Sequence, residues 1–293
     1  MQIVESMEDY YGVINRCKAT LGRLGTNNYL FPKALERYVR LKRMHYEEIG
    51  QGLLFYLDEE RYYQAYYYLA EHADVSDLEI GKKDKPILLQ HIYKENAKNR
   101  LFREVEQSLR KSGFERKSVS RHAVLEQPEK IYGKVERSMR GIQKLFDSAG
   151  FVYQCVSERQ LADVLAFRAQ IREIPYYQIP YFTRDELLEE ACAGRLCCIT
   201  DREGRIAAAR HLIVDGQKAY GWVGVQEAYK KRYGMAAVFL YHALQYVQEN
   251  NIRMCSWVER ENTDSIQYHE RIGSVWTGHL KDEWILECGE YGE

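Results

Sequence analysis

One order of strand and helix patterns occurs twice in this chain, and the repeat constrains the fold more than any other feature. Each copy contains a strand, a helix, a glycine and a second strand. The first copy comprises residues 87–93, 95–112, Gly113 and 114–125, and the second comprises residues 252–258, 263–272, Gly273 and 275–286. Two hairpins, at residues 52–60 and 194–204, also resemble each other. The sequence therefore predicts a duplicated fold of mixed α/β class.

Composition removes several classes of protein. Hydrophobic residues make up 45% of the 293 residues and charged residues 29%, which is typical of globular domains. The formal net charge of -1 argues against a strongly basic nucleic-acid binder. No apolar run approaches the roughly 20 residues of a membrane helix, and the first residues do not resemble a signal peptide. We therefore expect a cytoplasmic protein that makes no contact with a membrane.

The chain divides into three predicted parts. Residues 1–126 form an N-terminal domain, which begins with helices, the second of them over residues 34–49, and has a loop at residues 24–28. Residues 127–150 form a helical connector, and residues 151–293 form a C-terminal domain. No Cys-x-x-Cys pair occurs among the seven cysteines, so the sequence predicts no metal site.

The segment with the most chemical information follows a predicted strand at residues 219–225. Gly221 and Gly224 weaken the strand interior, as glycines do where a ligand approaches the backbone closely. The cations of residues 230–232 then precede Gly234 at the start of a predicted helix. Free N–H groups and the positive helix end favour an anion at such a position. This pattern indicates a pyrophosphate site. A basic turn that only caps a packing helix would have the same sequence pattern.

The motif Lys231-Arg232-Tyr233-Gly234-Met235-Ala236 resembles the cofactor loop of the GNAT acetyltransferases, with Lys in place of the usual Gln or Arg. The segment from Asn262 to Gly273 is similar to a second signature of that family. The resemblance covers the C-terminal half well and the N-terminal half poorly. It implies two GNAT-like domains, of which only the C-terminal one binds acetyl-CoA, because no basic glycine turn follows residues 86–93.

The resemblance also implies roles for single residues. The backbone of Val223 and Val225 would pair with the pantetheine arm, and Asn262 would touch the arm or the thioester. The backbone from Arg232 to Ala236, after Lys231, would hold the pyrophosphate. The family's acid, commonly a tyrosine, falls on His269 here, with Tyr268 beside it; only one of two adjacent helix residues can face the thioester.

Candidates for the base and for the acceptor site are less specific. Glu259, Glu261 and His211 lie near predicted strand ends and could take the amine proton. Arg210 and His211, with Tyr176, Tyr177 and Tyr181 of a proline-bracketed loop, could line the acceptor site.

The predicted activity is transfer of an acetyl group from acetyl-CoA to an amine, by direct attack in a ternary complex. The acceptor could be a small molecule or a peptide. The chain could also form a homodimer. One alternative is a Fem-like transferase that uses aminoacyl-tRNA; it would need a basic surface, such as the one around Arg110, Lys111 and Arg116. Another is a GNAT fold that binds without catalysis.

Overall fold

The structure is a computed structural model that describes residues 1–28, 30, 32–75, 80–170, 181–230 and 232–288. The N-terminal half contains, in order, β1 (Gln2–Ile3), α1 (Met7–Leu21), β2 (Leu24–Thr26), α2 (Pro32–Arg40), β3 (Met44–Ile49), β4 (Gly52–Asp58), β5 (Tyr63–Ala70), β6 (Ile87–Lys94), α3 (Arg100–Lys111) and β7 (Glu115–Leu125).

A long helix and the C-terminal half follow. The elements are α4 (Pro128–Ala149), β8 (Val152–Cys155), α5 (Leu161–Gln170), α6 (Arg184–Cys192), β9 (Leu196–Thr200), β10 (Ile206–Asp215), β11 (Lys218–Val225), α7 (Met235–Glu249), β12 (Arg253–Glu259), α8 (Thr263–Arg271) and β13 (Ser274–Leu286).

All the strands belong to one 13-stranded sheet. The order is β1-β3-β4-β5-β6-β13-β7-β12-β11-β10-β9-β8, and β2 pairs with β5 off this path. Only β5–β6 and β11–β12 are parallel pairs among the described strands. The predicted mixed α/β fold with a duplicated order is confirmed.

The two halves exchange their last strands at the centre of the sheet. Strand β7 of the first half lies between β12 and β13, and β13 lies between β7 and β6. Each half thus completes its sheet with a strand from the other half. The predicted domain boundaries at residues 126 and 150 stay predictions. They divide the chain into consecutive segments, whereas each half of the sheet contains a strand from the other segment.

Hydrophobic patterning explains the layers. The segment Leu53–Leu57 is buried throughout, because β4 lies inside the sheet with helices on both faces. Helices α1 and α2 cover one face of the N-terminal half, and α3 covers the other. In the C-terminal half, α5 and α6 pack on one face, and α7 with α4 packs on the opposite face.

Two predictions for the first 50 residues are wrong. The helix predicted over residues 34–49 ends at Arg40, Lys42 adopts a φ of 54°, and Met44–Ile49 is β3. The loop predicted at residues 24–28 contains β2. In both cases pairing with a neighbouring strand, β4 for β3 and β5 for β2, overrides the local pattern.

No helix among the described residues is both long enough and apolar enough to cross a membrane.

Candidate functional site

A gap in the sheet is the main feature of the C-terminal half. The parallel strands β11 and β12 pair over only three positions, from Lys218–Arg253 to Tyr220–Cys255. Beyond these pairs β11 stays bonded to β10 and β12 stays bonded to β7, so the two strands diverge. Residues 221–225 therefore present one backbone edge to the gap, over roughly 16 Å at about 3.3 Å per residue.

The register determines which backbone groups point into the gap. The Arg253 N–H donates to the Gln217 carbonyl, so residue 217 directs its backbone groups towards β12. Direction alternates along a strand, and the pairing of β11 with β10 has no register shift. The N–H and C=O groups of Gly221, Val223 and Val225 consequently face the gap. Val223 and Val225 are the two residues that the sequence analysis singled out.

The gap ends at the start of α7. Gly234 is the N-cap residue of this 15-residue helix, with a φ of 67°, and no side chain caps the helix. The N–H groups of Ala237 and Val238 bond back to the Gly234 carbonyl. The N–H groups of Met235 and Ala236 therefore remain at the positive helix end, next to the C-terminal end of β11. This is the geometry that binds phosphate oxygens.

Gly234 has a structural role of its own. A Cβ at this position would lie 3.1 Å from Cδ1 of Ile142 on α4. The close contact with α4, together with the positive φ, requires glycine whether or not a phosphate binds.

Other residues of the loop have different surroundings. Met235 is buried in the core, whereas Ala236 and Arg232 are exposed. The Tyr233 ring packs 4.9 Å from that of Phe151. Lys230 pairs with Glu227 at 2.9 Å. Lys231, the first residue of the motif, lies outside the described residues.

The corresponding gap in the N-terminal half is closed. Strands β5 and β6 also pair over only three positions, Tyr63–Ile87 to Ala65–Leu89. Strand β2 then pairs with the free edge of β5. The side chain of Asn27, itself buried, accepts from the Tyr67 N–H at 2.8 Å and donates to the Gln90 carbonyl at 2.9 Å. The chain itself occupies the place that is open between β11 and β12.

Helix α8 presents Tyr268 and His269 to different surroundings. Tyr268 packs against a core cluster that contains Leu240 and Leu244 of α7, and Met254 of β12 packs against the same cluster. Burial raises the pKa of Tyr268 to about 12, so the hydroxyl stays protonated at neutral pH. His269 instead lies against β13, with its Nδ1 3.1 Å from the Ser274 hydroxyl. Asn262 caps α8 by accepting from the Ser265 N–H.

A histidine dyad lies on the opposite face of the sheet. Nε2 of His211, on β10, is 3.4 Å from a Glu190 oxygen, and Arg195 holds that carboxylate through two bonds, of 2.7 and 2.8 Å. Since a carboxylate only accepts, Nε2 carries the proton and Nδ1 has a lone pair. Burial lowers the pKa of His211, and the bond to Glu190 opposes this only in part. The imidazole is therefore neutral at pH 7.

The remaining candidates for base and acceptor site are placed as follows. Glu259 ends β12, at the same end of the gap as the start of α7, because β11 and β12 are parallel. Glu261 is exposed just beyond it. Arg210 points to the α7 face and donates to the Phe239 and Gly194 carbonyls. Tyr181 stacks under Arg43 at 3.7 Å, whereas Tyr176 and Tyr177 lie outside the described residues.

Two residues close to His211, Arg168 and Trp222, were not among the predicted site residues. Arg168 on α5 is 8% exposed, and its guanidinium lies 5.4 Å from the centroid of the Trp222 ring. A signal for Arg168 existed in the sequence, because it follows Leu161 and Val164 on the buried stripe of α5. No group of three or more His, Cys, Asp or Glu in the described ranges could hold a metal ion.

Several solved structures are similar to this chain at low sequence identity. A Drosophila protein is 12% identical, with a TM-score of 0.53 and 98% of each chain covered. A tandem GNAT protein from the clavulanic acid biosynthesis pathway is 10% identical, with 85% of each chain covered and a TM-score of 0.46. A GCN5-related N-acetyltransferase from Sphaerobacter thermophilus is 12% identical over 80% of this chain and 76% of that one, with a TM-score of 0.46.

No protein-family model matches the sequence, and no curated protein sequence matches it. The strand order, the diverging parallel pairs and the repeated order of elements define the class: the chain has the GNAT fold in a tandem arrangement.

Proposed function

We propose that this chain is a CoA-dependent N-acyltransferase that transfers an acetyl group from acetyl-CoA to an amine. The observation that carries the proposal is the open gap between β11 and β12, which leads to an uncapped helix N-terminus. An extended pantetheine arm would take the free strand edge, as an added strand does, and its pyrophosphate would bind at the start of α7.

The direction of the arm follows from the position of the phosphates. They would bind next to the C-terminal end of β11, so the arm would run back towards Tyr220 and Cys255, where the strands meet. The thioester would then lie near Gly221. Glu259 is at the phosphate end of the gap, four residues past Cys255, and is poorly placed to act on the reacting amine.

Acid and base roles follow from this direction. His211 would accept the amine proton on Nδ1, while Glu190 holds its tautomer. Attack of the amine on the thioester carbonyl forms the C–N bond, and collapse of the intermediate breaks the C–S bond. Tyr268 would then donate its proton to the leaving CoA thiolate. Acetyl-CoA as the donor is the implication of the GNAT resemblance.

Calorimetric titration with acetyl-CoA tests the proposal, and we expect one equivalent to bind per chain. The N-terminal half should not bind a second equivalent, because β2 and Asn27 occupy its gap. Val223→Pro removes a backbone donor that faces the gap, and Val223→Ala keeps it. We expect Val223→Pro to lower the affinity about tenfold and Val223→Ala to change it less than about threefold.

Absence of heat with the wild-type protein would contradict the proposal. A stoichiometry of two would contradict the assignment of the N-terminal half. Equal affinities of the proline and alanine variants for acetyl-CoA would show that the edge of β11 does not bind the pantetheine arm.

The identity of the general acid can be tested by substituting Tyr268 and His269 separately. We expect Tyr268→Phe to lower kcat about tenfold or more, because the thiolate must leave without a proton. Its affinity for acetyl-CoA should stay within about threefold of wild type. His269→Gln should act mainly on stability, through the lost contact with Ser274. A thiol-release assay on both variants decides between them, and a larger loss of kcat for His269→Gln would reverse the assignment.

A further inference from the structure

Arg168 on α5 carries a buried positive charge. It is 8% exposed, and among the described residues no carboxylate lies within 4.0 Å of its guanidinium. Burial lowers the pKa of Arg168 to about 10, still well above neutral pH, so the side chain remains charged. Burying an unpaired charge is unfavourable for folding. A residue with this cost, whose one cation–π contact in the described part of the chain is the Trp222 ring, is typical of a binding site.

Two polar groups beside Arg168 are buried without a partner in the described ranges. They are the indole N–H of Trp222 and the Nδ1 atom of His211. These two residues lie opposite each other on β11 and β10. Groups of this kind usually find a partner inside a protein, so two of them beside a buried cation indicate that the partner is a ligand.

The charge of this cluster is positive. Glu190 is the acid that contacts His211, and although burial alone would raise its pKa, hydrogen bonds from His211 and Arg195 lower it. Its charge is balanced by Arg195. Because His211 is neutral, Arg168 leaves one positive charge that no described acid compensates. A single charge and one additional N–H donor match a carboxylate better than a phosphate dianion.

The cluster lies at the inner end of the gap. Trp222 is two residues past Tyr220, the last residue of β11 that pairs with β12, and its side chain packs with α5 and α6. An acceptor that reached the thioester from this face would contact Trp222 and His211 together.

We propose that Arg168 and the indole N–H of Trp222 bind a carboxylate on the acyl acceptor, so that the substrate class is amines that carry a carboxylate, such as amino acids. This inference rests on the proposed acyltransferase function for the role of the ligand. The carboxylate would accept hydrogen bonds from both groups and would place the amine near Nδ1 of His211.

Matched pairs of ligands test the carboxylate. Phenylalanine with phenethylamine, β-alanine with ethylamine, and 4-aminobutyrate with propylamine differ only in that group. Each is titrated into the full chain by calorimetry, with and without CoA. We expect at least one acid to bind about tenfold or more tightly than its amine. Arg168→Met should remove this difference and leave the affinity for the amine unchanged.

Trp222→Phe keeps the ring and removes only the N–H. This substitution should weaken the binding of the same carboxylic acid ligand by about three- to tenfold. If acids and amines bind equally, if no acid binds, or if Arg168→Met keeps the preference, the carboxylate site is wrong.

Thermal unfolding without ligand gives a second test. An arginine kept for binding should be replaceable, so we expect Arg168→Met to leave Tm unchanged or to raise it. A fall of more than about 5 °C would show a structural role and overturn the proposal. Failure of acetyl-CoA to bind the wild type would contradict only the proposed function, because the acids are also titrated without CoA.

Discussion

Ala236→Asp should weaken the binding of acetyl-CoA about 100-fold without lowering the stability of the protein. Ala236 is exposed in the first turn of α7, where its N–H faces the proposed phosphate site. A carboxylate about 5 Å from a phosphate costs on the order of 3 kcal/mol at an effective dielectric constant of about 20. That energy corresponds to roughly two powers of ten in Kd.

The same substitution is favourable for the helix. An acidic residue in a first turn stabilises a helix by about 0.3–1 kcal/mol, and α7 has no acidic residue there. Ala236→Asn is the matched control, because it has the same shape without the charge. We expect its Kd to stay within about threefold of wild type. Equal losses for both variants would indicate a steric effect, and no loss for either would place the phosphates elsewhere.

A substitution at Gly234 is a poorer test. Its Cβ would press on Ile142, and its φ of 67° strains any other residue. Gly234→Asp would therefore disturb the contact between α4 and α7, and a loss of binding would not report on the phosphate alone.

His211→Gln should lower kcat by at least about 100-fold, because it removes the proposed base. The glutamine amide can still donate to Glu190, so the carboxylate keeps its partner. The affinity for acetyl-CoA should change less than about twofold, since His211 lies on the other face of the sheet from α7. Steady-state kinetics with the best acceptor, beside calorimetry with acetyl-CoA, separates these effects.

The pH profile gives a further readout. A base must be neutral, and burial lowers the pKa of His211 from its ordinary value of 6.5. Activity of the wild type should therefore stay constant through pH 7 and fall only as the pH drops below about 6.5. In His211→Gln, kcat/KM should instead keep rising up to pH 9, because the acceptor must arrive deprotonated.

His242→Gln is the matched control for this experiment. His242 stacks on Tyr153 at 4.1 Å, away from the gap, and burial lowers its pKa too. Its kcat should stay within about twofold of wild type. A His211→Gln enzyme with wild-type kcat and pH profile would exclude His211 as the base.

Much of the fold could be predicted from the sequence, because the elements are strongly patterned. Ser157 and Thr183 are each followed three residues later by Gln160 or Glu186, the sequence pattern of a capping box, and a helical segment and a helix begin at these two positions. The apolar runs of β4 and β9 and the glycine before the last strand of each half also match the structure. Short segments whose local pattern is weak, such as β2 and β3, were not predictable, since their conformation depends on the strand beside them.

The candidate site also combines features that could be predicted from the sequence with features that could not. A glycine-bearing strand followed by a basic turn and a helix is a local feature, so Val223, Val225 and the start of α7 could be located from sequence. The choice between Tyr268 and His269 could not, because it depends on how α8 is rotated against β12 and β13. The dyad of His211 and Glu190 joins a strand and a helix 21 residues apart.

The sequence by itself determined the repeated order of elements, the predicted class of fold and the position of the turn proposed to bind phosphate. Each of these depends on the spacing of neighbouring residues. Only the tertiary structure decided that β7 and β13 are exchanged, that β2 and Asn27 close one gap while the other stays open, and that Arg168 is buried with no acidic partner in the described part of the chain. These features depend on contacts between distant segments, and a linear pattern does not record which segments meet.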